Sequence, residues 1–205
     1  EAELVRKKVL SHLESIVDQN TLMVEEFRIE RIRDLNLLAL TSRANGGECN
    51  VFHLNNMHLE RKIYRHIFMA NKEGRIICNN GTKHVFGQRL TDQPWFKAAT
   101  QGRSFMGDVE SAEIKGTYDL LIAVPMKSRN GRITGVLAAT VDFNGIAHIM
   151  KSTGIGQTGE IYLLNKDGVF LTSTRVGENR AGVRMLPELF AEYFKEVSPD
   201  QYIDY

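Results

Sequence analysis

Apolar residues recur at Val9, Leu13, Ile16, Met23 and Phe27, with polar Asn20 in the same series. Steps of three and four residues are the seam of an α-helix. Residues 1 to about 44 hold no proline, and the first glycines are Gly46 and Gly47. The pattern therefore predicts one helix over 1–44 that stops at Ala44-Asn45-Gly46-Gly47. Leu35, Leu37, Leu38 and Leu40 widen its apolar face near the end. At ~1.5 Å per residue such a helix exceeds roughly 60 Å, too long to be buried in one small domain. It must lie along several units or pair with a partner helix, where Asn20 would set the register of a homodimer.

Beyond the helix stop the period changes. A short amphipathic helix is expected near Asn55 to Lys62. Apolar runs at Ile63–Ala70 and Arg75–Asn79 flank Asn71-Lys72-Glu73-Gly74, a hairpin whose Gly74 supplies the positive φ of the turn. A loop rich in Asn, Gly and Thr follows over 80–90. Thr91 or Asp92 can cap the next helix, Pro94 fits its first turn, and Gln101-Gly102 ends it. Strands are expected at about 103–112, 118–127 and 132–143. The order helix, strand, strand, helix, strand, strand, strand predicts an α+β fold, a five-stranded antiparallel sheet with helical cover on one side.

A short helix is expected near Gly145 to Ser152. The strand pair Glu160–Leu164 and Val169–Thr172 then flanks Asn165-Lys166-Asp167-Gly168. It repeats the earlier Asn-Lys-acid-Gly hairpin at a spacing of about 94 residues, the signature of a duplicated unit. A helix near Leu186 to Glu196 follows. The organisation read from this is a long helix over 1–48, one module over 49–152, and a second, partial module over 153–205. The second copy has its first hairpin and a helix but lacks the three closing strands, which would leave a sheet edge exposed. The chain also opens inside a helical pattern at Glu1, so it reads as a piece of a longer protein.

Composition narrows the classes. Hydrophobic residues make up 42% and charged residues 25% of 205 residues, ordinary for a globular protein with a core. The net charge of +1 gives no basic face for nucleic acid. Basic residues of the first helix alternate with Glu and Asp, a solvated face. No run approaches the ~18 apolar residues of a membrane span, and no signal peptide is visible. Two cysteines, Cys49 and Cys78, make neither a disulfide framework nor a metal site. Two free thiols are the default and one disulfide the alternative. The six histidines show no metal-ligand spacing. Gly154 to Gly159 lacks the Lys-Ser/Thr of a phosphate loop. No nucleophile–base pair can be read, no cofactor is implied, and the chain reads as a binding portion and not an enzyme.

The candidate chemistry lies between Thr91 and Phe143. It comprises the only tryptophan, Trp95, followed by Phe96, then Tyr118 at a strand start and Asp142 at a strand end. Each has a structural explanation: Trp95 and Phe96 as core anchors, Tyr118 as a half-buried sheet residue, Asp142 as the N-cap of the next helix. Taken in order, several pieces resemble the double Cache family of extracytoplasmic sensor domains. They are the long N-terminal helix, the Asn-Lys-Glu-Gly hairpin, Pro94-Trp95-Phe96 with Ala98-Ala99 and Gly102, Tyr118 through Pro125, Gly135-Val136-Leu137 through Asp142-Phe143, and Gly156-Gln157-Thr158-Gly159.

The resemblance covers nearly the whole chain. It implies two PAS-like modules on one long helix, outside the cell membrane, in a membrane-anchored chemoreceptor, histidine kinase, cyclic-dinucleotide enzyme or phosphatase. The membrane-distal module would bind a small ligand. One branch of the family holds amino acids with a Tyr, an Arg, a Trp plus an aromatic, a second Tyr and an Asp. Trp95, Phe96, Tyr118 and Asp142 match the later positions. Gln93 stands at the Arg position and Gln88 at the first Tyr. Gln93 offers only neutral hydrogen bonds where an Arg would grip a carboxylate as a charged fork. An aromatic wall with one anion suits an ammonium group. The implied ligand is thus an amine, or an amino acid held differently. The alternative is a dimerising module that signals through partner contacts, without a ligand of its own.

The hairpin between residues 118 and 143 carries a geometric condition. A two-residue turn at Asn130-Gly131 sets Tyr118 opposite Phe143. A three-residue loop Arg129-Asn130-Gly131, with Gly131 left-handed, sets Tyr118 opposite Asp142 and so on one face with it. The three-residue loop is expected.

Overall fold

The computed structural model describes residues 2–44, 54, 63–80, 89–111, 118–143, 146, 161–165, 167–172, 180 and 182–188. The first element is a single helix, α1 (Ala2–Ala44). Its inward seam runs through Leu13, Ile16, Asn20, Met23, Phe27, Arg31, Leu35, Leu38 and Ser42, in steps of three and four. Leu35 and Leu38 are buried, but Leu37 and Leu40 are 62% and 56% exposed, so they do not widen the buried face. Asn20 is buried by its own chain and its Nδ2 donates to the Ile16 carbonyl at 2.8 Å. It is therefore not available to set the register of a dimer.

Five strands follow: β1 (Tyr64–Asn71), β2 (Ile76–Asn79), β3 (Phe105–Ser111), β4 (Tyr118–Lys127) and β5 (Ile133–Asp142). Between β2 and β3 lies the helix α2 (Pro94–Thr100), preceded by a 3-10 turn over Leu90–Asp92. The sheet is antiparallel throughout, in the order β2-β1-β5-β4-β3. The central strand β5 is buried on both faces, from Gly135 to Val141. Gly135 is required there: a Cβ would lie 2.2 Å from the Ala70 carbonyl oxygen of β1.

Helices cover both faces, where helical cover on one side had been expected. α1 packs Leu35, Leu38 and Ala39 against Ile67, Met69, Leu120, Ile122, Val124, Leu137, Ala139 and Val141. α2 packs Trp95, Phe96 and Ala99 against Phe68, Ala70, Ala123, Val136 and Ala138. The sequence hides this because the small residues of β4 and β5 serve both layers without a clear alternation.

The two Asn-Lys-acid-Gly turns are built alike. Asn71 N donates to the Arg75 carbonyl (2.9 Å) and Asn165 N to the Val169 carbonyl (3.0 Å). Gly74 and Gly168 both have positive φ, at 76° and 75°. Each asparagine Oδ1 also accepts from the residue after the glycine, at 2.8 and 2.9 Å. Ile161, Leu163 and Leu171, flanking the second turn, pack into the α1-face core. The helices expected at 55–62, 145–152 and 186–196 fall wholly or largely outside the described residues. Cys78 is buried and disulfide-bonded, which replaces the expectation of two free thiols. Spacing along a chain carries no information on such proximity. Cys49 lies outside the described residues.

Candidate functional site

The loop joining β4 to β5 has the expected three residues. Ser128 N donates to the Arg132 carbonyl at 2.8 Å, Gly131 N donates to the Ser128 carbonyl at 3.0 Å, and Gly131 has φ 80°. The register it sets does not last. Lys127 pairs with Ile133, but Met126 pairs with Gly135, so Thr134 is an extra residue. This bulge shifts every later pair by one. Asp119 ends up opposite Asp142, and Phe143 N donates to the Tyr118 carbonyl at 2.9 Å.

Tyr118 and Asp142 consequently lie on opposite faces of the sheet, against the expectation that they share one. Tyr118 is buried in the α1-face core beside Leu120 and Phe143, and burial raises its phenol pKa. A Cβ on Gly182 would meet its hydroxyl at 2.9 Å, so that hydroxyl faces the segment after the second hairpin. Nothing in the residue pattern marks Thr134 as a bulge, so the sequence alone could not exclude Tyr118.

Asp142 shares its face with α2. Trp95 and Phe96 are both buried there, edge-to-face with each other at 5.7 Å, and Trp95 meets Phe68 at 6.0 Å. Their first role is thus as core anchors, at the end of the face where α2 covers Val136 and Ala138. Gln93 is the N-cap of α2, in place of Thr91 or Asp92, because those two belong to the 3-10 turn. Its side chain makes no capping bond. Its carbonyl accepts from Lys97 N at 3.1 Å.

Beyond α2 the same face turns polar. A second bulge does this: Tyr64 pairs with Val141 and His66 with Thr140, leaving Arg65 as the extra residue of β1. Arg65 Nε donates to Asp119 Oδ1 at 2.6 Å and its Nη2 lies 2.8 Å from Asp142 Oδ2. The three side chains are 21%, 15% and 28% exposed. Burial pushes the Asp119 carboxyl above its ordinary value, with Asp142 adding to the rise, while Arg65 and the nearby His66 oppose it. Thr140, two residues before Asp142 on the same face, is 8% exposed, and its hydroxyl has no hydrogen-bond partner among the described residues. Buried hydroxyls are seldom left so. Arg65, Asp119 and Thr140 were missed by sequence reasoning. A Tyr-Asp pair at the start of a strand was the only available sign of Asp119, and no periodic pattern reveals a bulged Arg.

A face with an aromatic wall at one end and two carboxylates, a guanidinium and an unsatisfied hydroxyl at the other can hold a small polar molecule by charge and hydrogen bonds. The family model described as Cache domain matches residues 2–202. The chain belongs to the Cache domain family. Among solved structures, this Cache domain is similar to the ligand-binding domain of the Pseudomonas aeruginosa PAO1 amino acid chemoreceptor PctC in complex with GABA. The identity is 15%, over 92% of this chain and 82% of that one, with a TM-score of 0.66. It is similar to the ligand-binding domain of the Pseudomonas fluorescens chemoreceptor CtaA in complex with L-serine, at 15% identity over 95% and 82%, TM-score 0.64. A third likeness is to the ligand-binding domain of the Campylobacter jejuni chemoreceptor Tlp3 in complex with L-valine. There the identity is 12% over 78% and 69%, with a TM-score of 0.59. At these identities the likeness is one of fold. No curated protein matches the chain.

Proposed function

We propose that this Cache domain is the extracytoplasmic sensor portion of a membrane-anchored receptor, and that it binds a small molecule bearing an ammonium group on the α2 face of its sheet. The observation that carries the reading is the polar cluster of Asp119, Asp142 and the unsatisfied Thr140 hydroxyl on one face with Trp95 and Phe96. The ligand is an amine or an amino acid. Trp95, Phe96, Asp142 and Gln93 remain in the proposed site, Asp119 and Thr140 join it, and Tyr118 leaves it because it faces α1. The binding unit is the distal module over 49–152, with the partial module over 153–205 on the membrane side. A disulfide-bonded Cys78 favours an oxidising compartment outside the cytoplasm. Among the described residues no helix is long and apolar enough to cross a membrane.

A path from site to helix is short. Tyr64, next to Arg65 at the bulge, donates its hydroxyl to Asp34 of α1 at 2.9 Å. Ligand that draws on Asp142 alters the ion pairs of Arg65, and the neighbouring residue holds the helix. A state bound ~100-fold more tightly shifts a two-state balance by roughly 2.7 kcal/mol, enough to switch an output. Exposed Leu22, Ile29, Leu37 and Leu40 on α1 favour pairing of two copies through that helix. Titration calorimetry against primary amines and amino acids tests the reading. Binding by at least one compound, lost in Asp142→Ala while the fold by circular dichroism is kept, is expected. Unchanged binding by Asp142→Ala would refute it.

A further inference from the structure

The second hairpin carries a further segment along one edge. Phe170 N donates to the Val183 carbonyl at 3.0 Å, Gly182 N to the Phe170 carbonyl at 2.9 Å, and Met185 N to the Gly168 carbonyl at 2.8 Å. Val169 and Arg184 form an antiparallel bridge. On the other edge Leu171 N donates to the Leu163 carbonyl at 2.8 Å. The strand around Phe170 is thus held from both sides, and it positions Gly182.

Gly182 meets the first repeat at one side chain. Its φ is 83°, and a Cβ there would lie 2.9 Å from the Tyr118 hydroxyl. Only glycine satisfies both the backbone conformation and the space. Ile161, Leu163 and Leu171 pack into the same core as Tyr118, so the hairpin is already seated beside it. Tyr118 is the first residue of β4, and Asp119 is the second. Successive strand residues point to opposite faces. Asp119 accordingly reaches the α2 face, where its Oδ1 accepts from Arg65 Nε at 2.6 Å, while Tyr118 reaches Gly182 on the α1 face. One peptide unit joins the two side chains, so a change in the tilt of this strand end moves both.

We infer that the start of β4 is a relay between the two repeats: the Arg65–Asp119 contact on one face sets how the second hairpin seats on the other, through Tyr118 and Gly182. Close-packed contacts of this kind switch between discrete arrangements and do not deform smoothly. A contact with no room for one methyl group has no slack to absorb a shift of the Tyr118 ring. This coupling holds whether or not the α2 face takes a ligand. It goes beyond the proposed function by joining the first repeat to the second.

Amide hydrogen exchange on the full chain tests it, read at Phe170, Leu171, Gly182 and Met185, with Leu137 and Ala139 of β5 as the reference. Arg65→Gln should speed exchange at the four hairpin amides by about 10-fold and leave the two reference amides unchanged. Gly182→Ala should speed the same four by about 10-fold, and adding Arg65→Gln to it should bring no further change, because the relay is already broken. Tyr118→Phe keeps the ring in the core and removes only the atom that meets Gly182. In that background too, Arg65→Gln should have no effect on the hairpin. Asp119→Asn takes the place of Arg65→Gln if the latter does not fold. Unchanged hairpin amides in Arg65→Gln would overturn the relay. So would an equal acceleration with and without Gly182→Ala, or one shared by Leu137 and Ala139, which is global opening.

Discussion

The two faces of the sheet carry similar apolar centres and very different ends. On the α1 face, Ile122, Val124, Leu137, Ala139 and Val141 are fully buried, and the polar groups at the margin are tied together. Tyr64 donates to Asp34, Arg31 lies 2.6 Å from Glu30 and 3.6 Å from Asp34, and its guanidinium stands 5.0 Å from the Phe27 ring centre. Each face has one orphaned buried atom among the described residues, Arg31 Nε and Thr140 Oγ1. They are not alike. Arg31 Nε is a spare N–H on a group whose charge is otherwise met, while Thr140 has no other polar side-chain atom. A face built only to be packed has no reason to keep such a hydroxyl. The difference supports the proposed site on the α2 side, while the α1 side packs the helix.

The largest effect should come from breaking the packed face. Leu137→Ala removes a fully buried side chain between β5 and α1. It should cost about 2–5 kcal/mol of stability, seen as a lower urea midpoint. Amine affinity in the folded protein should stay nearly unchanged, since Leu137 points away from Asp142. A stability loss below about 0.5 kcal/mol, the range of surface substitutions, would mean that the α1 face is not a core.

How much of this was legible beforehand depends on what kind of signal each residue carries. The three- and four-residue steps from Leu13 to Phe27 gave the helix seam, and Asn71 with Gly74 gave the hairpin, because periodicity and turn chemistry are local. The loop at Arg129 to Gly131 was legible for the same reason: only a residue tolerant of positive φ closes it. The site was less so. Trp95, Phe96 and Asp142 do share a face, but Tyr118 does not, and one bulged residue, Thr134, decides that. Bulges at Thr134 and Arg65 depend on how neighbouring strands approach, as at Gly135 against Ala70, and not on local preference. Arg65 and Thr140 entered the site through pairing across strands, which no reading along one strand provides. Leu37 and Leu40 looked like core by spacing and are exposed, since a wide apolar face on a long helix does not say which part of it finds a neighbour.

A smaller change sharpens the comparison from the other side. Thr140→Val removes the orphaned hydroxyl and keeps the shape. On a purely structural face it should raise stability by about 1 kcal/mol, because a buried polar group without a partner is lost. The same substitution should weaken amine binding several-fold, by removing an acceptor for the ammonium. Stability measured by urea denaturation and affinity by calorimetry should thus move in opposite directions. If both fall, the hydroxyl has a structural partner and the contrast between the faces fails.

The smallest effect is one of pH. Burial raises the Asp119 carboxyl above its ordinary 3.8 and outweighs the lowering by Arg65. The folded protein then holds that proton more tightly than the unfolded chain does. The contribution of Asp119 to stability is fully present below 3.8 and declines as pH rises through the folded value. Asn cannot titrate, so the stability of the unaltered chain relative to Asp119→Asn should fall as pH is raised from about 3.5 toward neutrality. Urea denaturation of both proteins across that range reads the slope. The opposite slope would mean that the Arg65 pair dominates over burial. The cluster would then be a settled ion pair like Arg31 with Asp34, and the two faces would differ less than the Thr140 hydroxyl implies.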